Sequence, residues 1–169
     1  MNNKTKKTVI AALMAALICV STMIIKIPTP LHGYMNLGDC FVLCAAAVIS
    51  PLYAFLAAAI GSALADLLSG YVIYAPATFI IKGAMALLFI FISSIFGKKL
   101  GSLISYVVAA ILSEILMVLG YLLFEGVLYG FGAAIVNVPA NCIQGAAGVV
   151  LGILVIKIFE RTGLMKKLK

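Results

Sequence analysis

The sequence predicts an all-α integral membrane protein, a bundle of six transmembrane helices with both termini in the cytoplasm. Three observations carry this. Of 169 residues, 65% are hydrophobic and 10% charged, with a mean hydropathy of +1.26, more apolar surface than a soluble core of this size can hide. The apolar runs are long, rich in Ala, Leu, Ile and Val and free of strict alternation, which favours helices over a membrane barrel. The basic residues are confined to a few places, as described below. The whole chain, residues 1–169, is expected to form one membrane domain.

About 20 apolar residues cross the hydrocarbon core, and the chain supplies six such stretches in order. The first covers residues 8–25 and closes on the breaker IPTPLHG. The second, residues 39–50, is short because only Ser50-Pro51 separates it from the third, residues 51–68. The fourth covers residues 76–96, the fifth 100–124 and the sixth 139–159. The N-terminal stretch carries no convincing cleavage site and is expected to stay as a span.

Ten of the twelve Lys and Arg residues sit near the N-terminus (Lys4, Lys6, Lys7), between the fourth and fifth spans (Lys98, Lys99) or towards the C-terminus (Lys157, Arg161, Lys166, Lys167, Lys169). Six spans place all three regions on one side, the cytoplasm by the positive-inside rule. The net charge of +7 therefore faces anionic lipid, and no nucleic-acid partner is expected.

Two cations remain. Lys26 ends the first span and can reach the outer headgroups by snorkelling. Lys82 lies about 9 Å into the fourth span at 1.5 Å per residue and needs a partner. Either it pairs inside the bundle, with Glu114 as the nearest thing to a counter-charge in the spans, or it faces a ligand. Thr78, four residues earlier, shares its helical face, as Asn141 shares one with Gln144. Asn36, Asp39, Asp66, Tyr71, Tyr74 and Asn137 fall at the same outer level. The polar inventory is thus gathered at the outer end above an almost purely apolar inner half, which describes a cup open to the outside rather than a pore.

Other chemistry is thin. His32 stands alone in a Pro-Gly loop without an HExxH or a nucleophile partner, Cys19, Cys40, Cys44 and Cys142 have no zinc spacing, and no GxxxxGK loop is present. Neither catalysis, a bound metal or cofactor nor ATP binding by this chain is expected. In the first span Ala11 and Ala15, and Ala12 and Ala16, repeat at four-residue spacing, a small-xxx-small pattern that admits another helix closely, from a partner or from within the bundle.

The segments YMNLGDCFVLCAAAVISPLYAFLAAAIGSALADLLSGY and YAPATFIIKGAMALL, with the Ala-xxx-Ala face of the first span, resemble the substrate-binding S component of an energy-coupling factor (ECF) vitamin transporter of Gram-positive bacteria, particularly the pyridoxine and hydroxymethylpyrimidine group. The resemblance covers essentially the whole chain. It implies a subunit of the plasma membrane that captures a vitamin under a loop joining the first two helices and docks on a membrane coupling (T) subunit driven by two ATPase subunits. Carried onto this chain, it implies a capping loop at residues 27–38 and substrate contacts from Asn36, Asp39, Tyr74, Thr78, Lys82, Asn137, Asn141 and Gln144. It implies docking through Ala11, Ala12, Ala15 and Ala16. Metal-carrying relatives begin Met-His, whereas this chain begins Met1-Asn2-Asn3, so the implied cargo is organic. Few aromatics and no Trp suit a one-ring vitamin, vitamin B6 or hydroxymethylpyrimidine. Tyr34, Tyr71, Tyr74 and Tyr121 keep riboflavin as the alternative cargo. With Glu114 as a proton relay, a proton-coupled solute carrier is the alternative class, and a non-transporting membrane scaffold is a third.

Overall fold

In lipid every backbone N–H and C=O must be satisfied within the protein, so apolar runs of this length fold as helices. The computed structural model describes residues 3–29, 31 and 33–165. Met1, Asn2, His32 and the lysines at 166, 167 and 169 lie outside the described residues, as do the side chains of Lys98 and Lys99. The order is α1 (Asn3–Ile24), β1 (Ile27–Pro28), β2 (Tyr34–Met35), α2 (Gly38–Val48), α3 (Pro51–Leu68), α4 (Ala75–Leu100), α5 (Ser102–Tyr129), a short α6 (Phe131–Ala134), a 3-10 turn (Ile135–Asn137) and α7 (Val138–Arg161).

The boundaries follow local chemistry. Proline falls in the first turn of α3, α4 and α7, where its missing N–H has no helical acceptor to lose. Gly101 ends α4 and Gly130 ends α5 with φ of 78° and 84°, a left-handed backbone that other residues adopt only at a cost.

Among the described residues, five helices are long and apolar enough to cross a membrane, and α2 is not one of them. Its 11 residues span only about 16 Å at 1.5 Å per residue. The expected second crossing is therefore a short buried helix. Nine of its residues are buried, packed against α7, α1, α4 and α3. Around it, Phe89, Ile18, Leu43, Met85, Met117 and Ile156 fill the core. The long helices turn Leu13, Ile24, Leu52, Ile80, Val127 and Ile143 outward, the reverse of a water-soluble surface and the arrangement lipid requires.

One close approach sets the spacing of α1 and α3. A Cβ on Gly61 would stand 2.5 Å from the Ala15 carbonyl oxygen and 3.1 Å from the Ala15 Cα. Only glycine lets the two backbones meet there. Thus Ala15, one of the four alanines expected at a partner surface, packs partly inside the bundle, as does Ala11. Ala12 and Ala16 remain exposed. They border an apolar groove between α1 and α3 of about 570 Å³, walled by Tyr53, Leu56, Ile60 and Leu64 on the other side.

Candidate functional site

The chain between α1 and α2, expected as a capping loop, folds as a small antiparallel hairpin that pairs Ile27 with Met35 and Pro28 with Tyr34. Hydrogen bonds tie this segment to three helices. The Tyr34 hydroxyl donates to Asp66 Oδ1 on α3 at 2.6 Å. The Tyr74 hydroxyl, at the head of α4, donates to the Leu31 carbonyl at 2.7 Å. The Asn36 backbone N–H donates to Gln144 Oε1 on α7 at 2.9 Å, and the exposed Lys26 ammonium donates to Ser69 Oγ just beyond α3 at 3.1 Å. Burial and the neighbouring Asp66 carboxylate push the Tyr34 phenol well above its ordinary range, so it stays protonated and serves as a donor.

Because the hairpin bonds to the C-terminal end of α3 and the N-terminal ends of α4 and α7, those helix ends meet at one end of the bundle. The start of α1 and the end of α7 lie at the other. Beneath the hairpin is a polar cavity lined by residues of α1, α3, α4, α5 and α7, from Thr22 of α1 to Asn141 and Gln144 of α7. Its free volume of about 30 Å³ has room for one or two waters.

Six of the eight expected substrate contacts, Asn36, Tyr74, Thr78, Lys82, Asn141 and Gln144, line this cavity. The other two stand behind it. Asp39 is fully buried and forms an ion pair with Lys82 through Oδ1, while its Oδ2 accepts a hydrogen bond from Gln144 Nε2 at 2.7 Å. Asn137 is buried and donates from Nδ2 to Glu125 Oε1 at 2.8 Å. The counter-charge of Lys82 is therefore Asp39 and not Glu114. The reason is the shortness of α2, which brings its first turn down to the level of Lys82. Glu114 instead lies against α7 where Gly145 and Gly148 leave room for it, and neither of its carboxylate oxygens has a hydrogen-bond partner among the described residues.

The result is a polar chain running from the hairpin backbone through Gln144 and Asp39 to Lys82. Gln144 uses both ends of its amide in this chain, so it is a strut between cap and floor. The Lys82 ammonium also lies 5.5 Å from the centroid of the Tyr121 ring, within reach of the negative ring face. Tyr121 shares a 3.0 Å hydrogen bond with Thr78.

Sequence reasoning missed Glu125. It lines the cavity and accepts from both Tyr74, at 3.2 Å, and Asn137. The signal was present: a carboxylate one residue beyond the expected end of the fifth span, on the side where the polar groups gather. Ser62 and Thr22 also line the cavity, each near the outer end of its span.

The family model for the ECF-type riboflavin transporter S component matches residues 2–161. The chain belongs to the ECF transporter S components. A structure described as the S component of a bacterial ECF transporter superposes with a TM-score of 0.71 over 95% of this chain and 98% of that one, at 19% identity, and so shares the fold. A Pyrococcus woesei protein, described as an uncharacterized protein in the gap 3' region, is 35% identical over 136 residues, 80% of this chain and 88% of that one. As an S component the protein is a multi-pass membrane subunit without enzymatic activity of its own. S components bind small vitamin-like substrates and work with T and ATPase modules.

Proposed function

We propose that this S component captures a water-soluble vitamin or vitamin precursor from outside the cell, with vitamin B6 (pyridoxine) or hydroxymethylpyrimidine as its cargo. The observation that carries the reading is the polar cavity beneath the hairpin. Its walls offer a cation, amides and hydroxyls in an otherwise apolar bundle, the make-up of a site for a small polar heterocycle. A free volume of about 30 Å³ is less than any vitamin needs, so the cavity has to widen to take cargo. A single ring asks for a smaller rearrangement than three fused rings, which supports the one-ring cargo.

On this reading both termini face the cytoplasm, which is supported by Lys4, Lys6, Lys7, Lys157 and Arg161 at the end opposite the cavity, since basic residues stay inside. Docking on the coupling subunit falls to the exposed Ala12 and Ala16 side of the α1–α3 groove, with Ala11 and Ala15 holding the groove's floor. Two ATPase subunits supply the energy that this chain has no nucleotide loop to harvest.

Riboflavin is the second reading, favoured by the description of the matching family model. Native mass spectrometry of the protein purified from cells grown with both vitamins decides between the two. A retained mass of pyridoxine or hydroxymethylpyrimidine is expected, and a retained flavin would sink the one-ring reading. In the same preparation, co-purifying ATPase subunits support the S component role, whereas proton-driven uptake by this chain alone supports the carrier.

A further inference from the structure

The cavity has an imbalance that the capture of a vitamin does not by itself explain. Its lining contains one cation, Lys82, and two carboxylates, Asp66 and Glu125. The charge of Lys82 is already met by Asp39 behind it. Asp66 and Glu125 are 4% and 2% exposed, and no cation bonds to either among the described residues. Each has one oxygen satisfied. Asp66 Oδ1 accepts from Tyr34, and Glu125 Oε1 accepts from Tyr74 and Asn137.

Among the described residues, the other oxygen of each, Asp66 Oδ2 and Glu125 Oε2, has no hydrogen-bond partner, and nor has the Ser62 hydroxyl. Ser62 is 2% exposed and stands one turn before Asp66 on the same face of α3, so the two are neighbours. Buried polar groups are ordinarily paired, and a buried acceptor without a donor costs free energy. Three such groups in the lining of one cavity contrast with Gln144 and Lys82, which bond through Asp39.

We infer that Ser62, Asp66 and Glu125 form a donor-recognition subsite, so that the cargo is a neutral or cationic heterocycle presenting amino, hydroxyl or protonated ring-nitrogen groups there. Anionic cargo, carboxylated or phosphorylated, is disfavoured. An added negative charge would face two buried carboxylates, while the one cation is engaged. This rests on the reading of the cavity as the cargo site and deepens it from size to polarity.

The test uses purified protein in nanodiscs and ligands matched in ring but not in charge. Pyridoxine, pyridoxamine and 4-pyridoxic acid differ in an alcohol, an ammonium and a carboxylate on one ring, and riboflavin and flavin mononucleotide differ in a phosphate. Calorimetric titration should show pyridoxamine binding at least as tightly as pyridoxine and the acid at least tenfold more weakly. Asp66→Asn and Glu125→Gln should each shrink that gap. Should only the flavins bind, the one-ring reading fails, yet a tenfold preference for riboflavin over its phosphate still supports the subsite. Equal or tighter binding of the anionic member of the series that binds overturns it.

A ligand-independent arm guards against a purely structural role. The amide variants keep an oxygen for the Tyr34 or Tyr74 hydroxyl, so the cargo-free protein should melt no lower than the parent. Lower melting together with an unchanged preference between charged and neutral ligands would show that the carboxylates serve the fold, and the inference fails.

Discussion

Lys82→Met is expected to lower the melting temperature of the cargo-free protein sharply, and Asp39→Asn added to it is expected to restore much of the loss. Lys82 and Asp39 are both almost wholly buried and joined as an ion pair. Methionine keeps most of the stem's volume but leaves the Asp39 carboxylate with a single donor, Gln144 Nε2. Removing one partner of a buried pair typically costs about 3–5 kcal/mol. Neutralising the survivor removes most of that cost, which is why the double variant separates loss of a charge partner from loss of packing. The loss also spreads to the cap, since Asp39 holds the Gln144 amide that accepts the Asn36 N–H. Thermal unfolding followed by tryptophan-free reporters such as thiol-reactive dye uptake, or by far-ultraviolet circular dichroism, measures the effect. A single variant as stable as the parent would show that the pair does not hold the fold, and that Lys82 is free to serve cargo alone.

Leucine at both Ala12 and Ala16 is expected to abolish most uptake while cargo binding persists. Both alanines are exposed on the rim of the α1–α3 groove, so the larger side chains project outward and need not disturb the bundle. In lipid, helices associate through close packing of small residues rather than by excluding water, and losing about 1.4 kcal/mol of that packing already weakens docking tenfold. The cavity lies further along the helix: Thr22, the α1 residue that lines it, is six residues beyond Ala16 and ten beyond Ala12, or about 9 and 15 Å. Uptake into cells or proteoliposomes carrying the full transporter should fall at least tenfold, with vitamin affinity of the isolated subunit within about twofold of the parent. Loss of binding as well would mean that this face packs the bundle itself.

Much of this architecture was legible in the chain. The five long helices lie within a few residues of the expected spans because their length and composition are dictated by the bilayer and punctuated by Pro51, Pro76, Pro139, Gly101 and Gly130. The gathering of polar groups at one end was equally plain, since depth along a span can be counted. Pairing could not be counted in this way. Whether Lys82 meets Asp39 or Glu114 depends on how deep the first turn of α2 sits and how α5 is rotated, and hydropathy encodes neither. For the same reason Asp39 and Asn137 were expected to touch cargo, but they stand behind Lys82 and Glu125. Of the four alanines, only the contact with Gly61 tells which side turns inward, and that contact joins residues 46 positions apart.

That contact also has a mechanical side. The groove and the cavity are both walled by these two helices: the groove reaches past the Gly61–Ala15 contact to Leu64 and Val20, and Thr22, Ser62 and Asp66 line the cavity. Ala57, in the groove, is one turn below Gly61, and Asp66, the anchor of the hairpin, is five residues above it, about 7.5 Å along the axis. A side chain larger than hydrogen at Gly61 would therefore push α1 from α3 beside both spaces at once. The same helix carries, at Asp66, the hydrogen bond from Tyr34 that ties the hairpin down.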